Sequence, residues 1–353
     1  MTTTIAYVSC ADDREIVTLA LDQTSGALRV IARTAVPGTD VPSPSSLPMA
    51  LRGDRARLYA ALRSPPFPLS SYAIDPTTGA LQLLGTTELP QAMAYLSADR
   101  SGRWLLAASY VGAMLTVSPI DAGGLAGAAV QTVATPLRTH AVLPDPENRF
   151  VYAPCLGGDV VLGQAFDPGT GRLDPTPRPV ATTRPGAGPR HLVFARQGAL
   201  VYLLNELDGT LVTYARDAVT GLLAERQTLG FLPDGLSETT SSADLHLTPD
   251  ERQLVASDRT TDTLNLFRIN PTDGTLELVA RTPCEITPRG FAIASGGRFL
   301  LCAGLTSGHV GVYAIGDGRL VPAARLPVGG GPNWIEVLDL YPRSMRKLNG
   351  EQA

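Results

Sequence analysis

Lysine is almost missing from this chain. Of the 29 lysine and arginine residues, all but Lys347 are arginines, scattered singly among 33 acidic residues for a formal net charge of −4. Without a basic cluster, neither a nucleic acid nor an anionic membrane surface is an expected partner. An anionic ligand would have to be held by arginine, whose guanidinium stays charged and donates in a planar fork. Long apolar runs are missing too, and 1–5 carries neither a basic n-region nor an apolar h-region, so the expectation is a cytoplasmic protein. Cysteine is scarce: there are four, with no C-x-x-C pair, and Cys10, Cys155 and Cys302 recur at one place in well-separated units, as packed thiols would. Disulfides and zinc are therefore not expected. No P-loop, dinucleotide fingerprint or zincin motif occurs, so no cofactor is expected either.

What the chain does have is a unit of about 48 residues that recurs from end to end, the signature of a β-propeller. It shows first in turns of the type D-P-x-T-G-x-L, at 75–81 and 167–173, with an asparagine-led copy at 270–276 and degenerate copies elsewhere. Asp or Asn bonds its own backbone, Pro presets φ and Gly takes the positive-φ position, which is hairpin chemistry. A second kind of turn, at 145–149, 249–252 and 296–298, precedes short runs that are apolar on both faces, as expected of strands packed between neighbouring sheets.

The strands that enter these turns number seven, at 47–53, 92–97, 140–144, 190–195, 244–248, 289–294 and 333–337. The predicted fold is all-β: a seven-bladed propeller of four-stranded antiparallel blades. The run at 5–9 matches a second strand and that at 333–337 a first strand, so the two ends should complete one blade and leave no open sheet edge. A pair of β-sandwiches would explain neither the period nor the shared blade. No linker separates two compositions: one domain is expected over 1–341, with 42–48 as an inter-blade loop and 342–353 as a polar tail. Oligomeric state is not readable, because a closed ring needs no partner to cover an edge.

Chemistry should gather where the inner strands begin, since seven strand ends converge there on one mouth. Thr139-His140 opens one inner strand, Gly188-Pro189-Arg190-His191 the next, Asp244-Leu245-His246 the one after, and Pro288-Arg289 the one after that, while Asn205-Glu206 and Asp258-Arg259 end second strands. Several of these residues also have plain structural readings. By strand alternation His191 should face away from Arg190. Asp244 and His246, spaced i, i+2 on one face, could bind a metal but are better read as a tie between blades. Arg259 could pair with Asp258, and Arg289 could staple a loop. Arg63, Arg138, Arg184 and Arg289 are candidates for holding an anion.

The motifs Gly186–Phe194, Asn205-Glu206-Leu207, Ala243–Asp250, Asp258-Arg259-Thr260, Pro288-Arg289-Gly290-Phe291 and the closing Gly330–Trp334 resemble those of the cycloisomerase-2 or lactonase family of seven-bladed propellers, most of all its bacterial 6-phosphogluconolactonase branch. The resemblance covers nearly the whole chain. It implies a metal-independent hydrolase that opens a small anionic sugar lactone, phosphorylated or derived from a uronate or aldarate. A carboxymuconate-type cyclase and a non-catalytic scaffold are the alternatives. By likeness to the muconate cyclases of the family, the catalytic set would be His140, Arg190, Glu206 and Arg259. Asp244, His246, Arg289, Arg63 and Asn333 are the expected substrate contacts. Glu206 is the first candidate for general base, with His140 or His246 as alternatives or as the acid, although a carboxylate between arginines makes a weak base. Arg190 and Arg259 would stabilise the oxyanion or hold an anionic group. Against a phosphate, the loop at 63–68 offers no second basic residue and that at 110–114 is apolar.

Overall fold

The apolar runs become strands and the Asp/Pro/Gly turns reverse them, giving seven antiparallel sheets in a ring. The computed structural model describes residues 3–41, 46–233, 235 and 239–340; the expected tail at 342–353 and part of the loop at 42–48 lie outside them. Among the described residues regular structure is all β, apart from single 3-10 turns at Leu156–Gly158 and Arg196–Gly198. Six blades have four strands. In the other, the outer strand is split into Arg172–Leu173 and Arg178–Thr182, both paired with Val160–Asp167. The seven-bladed propeller read from the repeat is therefore the observed fold.

Second strands such as Leu200–Asn205 and Phe299–Gly304 are buried along their whole length, because each lies between two other sheets. Outer strands such as Leu81–Glu88 and Leu223–Gly230 are mostly exposed or half-buried, as befits the rim. Cys10, Cys155 and Cys302 are buried free thiols in second strands, and Cys284 is free as well. The ring closes as the repeat predicts: Pro332–Leu340 pairs antiparallel with Thr3–Cys10, and Ser9 Oγ donates to Asn333 Oδ1 at 2.8 Å.

The D-P-x-T-G turns do more than reverse the chain. Asp75 Oδ1 accepts the amides of Thr77 and Thr78 at 2.8 and 2.7 Å, and Gly79 has φ 74°, a value that glycine reaches without penalty. The carbonyl of that glycine accepts the hydroxyl of Tyr7, from the second strand of the preceding blade, at 2.7 Å. The same tie recurs as Tyr152 to Gly221 at 2.9 Å and Tyr202 to Gly274 at 2.8 Å. A buried ion pair adds to it between blades: Arg216 Nη1 lies 2.9 Å from Asp145 Oδ2, both side chains being inaccessible.

The inner strands depart from simple alternation. Three of the predicted ones form ladders only over Met49–Leu51, Tyr95–Ala98 and Leu143–Pro144, shorter than the sequence suggested. In the other four, the register shifts between Pro189 and His191, between Ser242 and Leu245, between Pro288 and Gly290, and opposite Ser9 and Cys10, where Trp334 and Pro332 are the partners. Each shift is a β-bulge that takes Arg190, Ala243-Asp244, Arg289 or Asn333 out of the ladder and re-aims its side chain. At Gly290 a Cβ would lie 2.6 Å from the Asn333 carbonyl, so two bulged strands touch backbone to backbone beside the axis.

Replacing Arg216 by methionine should cost about 3–5 kcal/mol in urea unfolding, because it strands a buried Asp145 charge. Tyr202→Phe, which deletes one inter-blade hydrogen bond, should cost only about 1 kcal/mol. Equal costs would mean that the ion pair is not what joins those blades.

Candidate active site

The bulge at the head of Pro189–Ala195 turns Arg190 inward, where it is 2% exposed. Its Nε lies 2.7 Å from Glu206 Oε2, an ion pair whose N–H is not aligned for a hydrogen bond, and Nη1 donates to the Ala243 carbonyl of the next blade. Glu206 follows the second strand Leu200–Asn205. Its amide donates to Gly188 O at 2.8 Å, and its carbonyl accepts Ser242 N at 3.0 Å, so its backbone is held from both blades. Arg259, after Gln253–Asp258, completes the group: Nη2 lies 3.1 Å from Glu206 Oε1 and Nε donates to Ser241 O at 2.9 Å. Arg259 thus pairs with Glu206 rather than with Asp258, which accepts Ser242 Oγ at 2.8 Å.

His140 enters from the preceding blade, its amide donating to Pro154 O at 3.0 Å. The ring is buried, edge-on to Tyr110 at 5.7 Å and to His191 at 5.0 Å, and its Nδ1 has no partner among the described residues. Arg289 and Arg63 are half-buried, neither has a carboxylate partner among the described residues, and Arg63 Nε is buried without a hydrogen bond. Asn333 is buried, its Oδ1 accepting Ser9 Oγ while Nδ2 lacks a partner.

Electrostatics ties these residues into one site. Burial first, then the charges of Arg190, Arg259 and Arg63, pulls Arg289 down to about 9, still a cation at neutral pH. Burial, then Arg190, His191, Arg289 and Arg259, holds His140 well below the ordinary imidazole value, so it is neutral. Burial alone would raise Glu206, but Arg190 and Arg259 outweigh it and hold the carboxyl below its usual range. Arg190 and Arg259 therefore contact the Glu206 carboxylate, Arg289 lies close enough to help hold it ionised, and Arg63 lies beside Arg289, leaving an excess of buried positive charge next to a neutral imidazole.

A second group lies beneath the first. Asp244 Oδ1 is 2.9 Å from His191 Nδ1, and Oδ2 is 3.1 Å from His246 Nε2 and accepts Phe291 N at 3.3 Å. Asp244, His246, Tyr95, Phe291, Trp334 and Glu336 line a cavity of about 170 Å³ on the axis. Burial pushes Glu336 up to about 7, against the hydrogen bond from Trp334 Nε1 at 2.9 Å. His246 is raised because Asp244 outweighs the lowering effect of burial. Asp244 thus joins the strands of His191 and Phe291, with His246 bonded to it from its own strand, and among the described residues no group of three His, Cys, Asp or Glu side chains is arranged to hold a metal.

Of the residues picked out from sequence, the structure brings together His140, Arg190, Glu206, Arg259, Arg289 and Arg63. Asp244 and His246 sit below them, and Asn333 serves in the ring closure. Arg184 is exposed and paired with Asp208 at 2.7 Å, and Arg138 lies over the Tyr110 ring. One expectation fails: His191 does not face away from Arg190, whose Nη1 is 3.2 Å from its Nε2. The bulge breaks the alternation on which that expectation rested. Tyr95, Tyr110, Trp334 and Glu336 escaped the sequence reading. A usable signal existed, since Pro189, Pro288 and Pro332 each stand just before a bulged polar residue, and proline within a sheet is confined to edges, strand starts and bulges.

Known proteins share this architecture along its length. The chain is 39% identical over 339 residues to the 6-phosphogluconolactonase of Pectobacterium atrosepticum, covering 95% of this chain and 99% of that one. It is 37% identical over 336 residues to the 6-phosphogluconolactonase of Serratia proteamaculans, with 95% and 98% covered. Among solved structures, the periplasmic gluconolactonase PpgL of Pseudomonas aeruginosa superposes with a TM-score of 0.86 at 27% identity, covering 97% of this chain and 100% of that one. The sequence profile described as lactonase, 7-bladed beta-propeller matches residues 3–337, and the chain belongs to that family.

Proposed function

We propose that the chain hydrolyses the ester bond of a sugar-acid lactone, in the manner of a 6-phosphogluconolactonase, and that its substrate is anionic. The observation that carries this reading is a cluster of four arginines in which Arg190 and Arg259 pair with Glu206 while Arg289 and Arg63 lie beside them without a carboxylate partner among the described residues. Buried cations without counter-ions are costly, and an anionic ligand supplies the missing charge. The names of the relatives support the same chemistry.

Arg190 and Arg259, oriented by Glu206, bind the carbonyl oxygen and stabilise the oxyanion that forms on it. Both Glu206 oxygens are engaged, so Glu206 serves as an anchor rather than as the base first considered. His140 has the free nitrogen instead. Its imidazole takes a proton from water as the water oxygen bonds to the carbonyl carbon; the bond from that carbon to the ring oxygen then breaks and His140 returns the proton to the ring oxygen. Burial and then the arginines depress His140, and an anion bound beside the arginines offsets their share of that effect. Arg63 and Arg289, free of carboxylates, hold the distal anionic group. A phosphorylated lactone would place the work in the cytoplasm, where phosphorylated sugars are kept, and the four free thiols accord with a reducing compartment.

Proton release in weak buffer should be fast with 6-phosphogluconolactone and unaffected by chelator; silence there and on glucono-, galactaro- and glucarolactone would reject the reading. Arg190→Ala or Arg259→Ala should lower kcat by about 10²–10³, and His140→Gln by at least about 10². Arg63→Ala should raise KM for the phosphorylated lactone while leaving gluconolactone unchanged. Equal effects on both would mean that Arg63 holds no phosphate.

Because His140 is neutral well below the ordinary imidazole range, kcat/KM should stay level from pH 8 down through 6.5. Arg289→Ala removes a cation that disfavours the imidazolium, so its acid limb should move to higher pH. A wild-type limb near pH 6.5 would remove His140 from the base role.

A further inference from the structure

We propose that His191 and Asp244 form a positioning pair for Arg190, holding its guanidinium where the oxyanion develops without touching the substrate; this rests on the lactonase reading above. Asp244 is itself fixed from three blades. Its Oδ1 accepts Leu245 N at 3.0 Å and faces His191 Nδ1 at 2.9 Å, and its Oδ2 accepts Phe291 N at 3.3 Å and faces His246 Nε2 at 3.1 Å. A carboxylate can only accept, so Nδ1 of His191 must carry its hydrogen. The ring is thereby locked in the Nδ1–H tautomer.

Arg190 Nη1 lies 3.2 Å from Nε2 and 3.4 Å from Nδ1 of that ring. Near-equal distances put the nitrogen across the ring face rather than at the end of one lone pair. The same Nη1 donates to the Ala243 carbonyl, from the residue before Asp244. One end of the guanidinium is thus seated on His191 and Ala243 while Nε faces Glu206. A neutral imidazole can seat a cation there, whereas an imidazolium repels it.

The groups around His191 are Arg190 from its own strand, His140 from the preceding blade, Asp244 and His246 from the following one, and Tyr95 and Trp334 across the axis at 5.2 and 6.2 Å between ring centroids; of these Asp244 alone favours the charged ring. Burial first and Arg190 second hold the ring down at about 4, against Asp244. The bulges after Pro189 and Ser242 bring Arg190, Ala243 and Asp244 to this one point.

A double-mutant cycle with a conservative rescue tests this. His191→Ala should lower kcat at least about tenfold while KM moves by less than about threefold. Combined with Arg190→Lys it should fall short of the product of the single effects by at least about fivefold. His191→Gln, neutral and able to donate to Asp244, should recover most of the activity. Nitrogen NMR of wild type provides a readout independent of turnover: His191 should be neutral and Nδ1–H at pH 6, and Asp244→Asn should disturb that form. If no lactone is opened but this signature holds, the functional reading fails and the positioning pair stands. Additive singles, no recovery in His191→Gln, or a charged or Nε2–H ring at pH 6 would overturn the pair.

Discussion

The axis on which the site is built exists because one pair of strands far apart in sequence meets. Thr3–Cys10 and Pro332–Leu340 come from opposite ends of the chain, and their ladder turns a row of blades into a ring. Closure removes the two free sheet edges and forces seven inner strands to converge. The closing strand carries its own bulge at Asn333, tied to Ser9, and its backbone lies against Gly290 beside Arg289. The joint of the ring is therefore continuous with the floor of the site.

Convergence of inner strands explains why so much unbalanced charge can be held. Arg190 is almost fully buried with one carboxylate shared between it and Arg259, and Arg63 and Arg289 have none. Such an arrangement opposes folding, since each desolvated cation raises the free energy of the empty site. The scaffold offsets this elsewhere, through strands buried on both faces and repeated tyrosine-to-turn bonds such as Tyr152 to Gly221 and Tyr202 to Gly274. Strain of this kind at a site, balanced by a regular frame, is what binding an anion requires.

The frame was largely legible because it repeats. A turn such as 75–81 carries its conformation in its own residues: Asp to accept nearby amides, Pro to preset φ, Gly for the positive φ. Seven echoes of one unit fix blade number, order and the shared terminal blade. Less legible were the lengths of the inner strands, since Leu143–Pro144 pairs over two residues where five were expected. The arginines, His140 and Glu206 could be picked out because they stand at corresponding places in neighbouring units. His191 could not, because its direction depends on a bulge after Pro189, and alternation assumes that there is none.

The sequence by itself determined what is local and periodic: seven antiparallel blades, the turns between their strands, packed free thiols, and a supply of arginine in place of lysine. Only the tertiary structure decided which of the polar residues meet. Arg259 turns to Glu206 rather than to its neighbour Asp258, Arg184 leaves for Asp208, and Asp244 joins His191 to His246 beneath the arginines. The physical reason is that these contacts, apart from that of Asp244 with His246 on its own strand, join segments separated by tens of residues of chain. Their geometry is set by bulges and by ring closure, which no window of sequence contains.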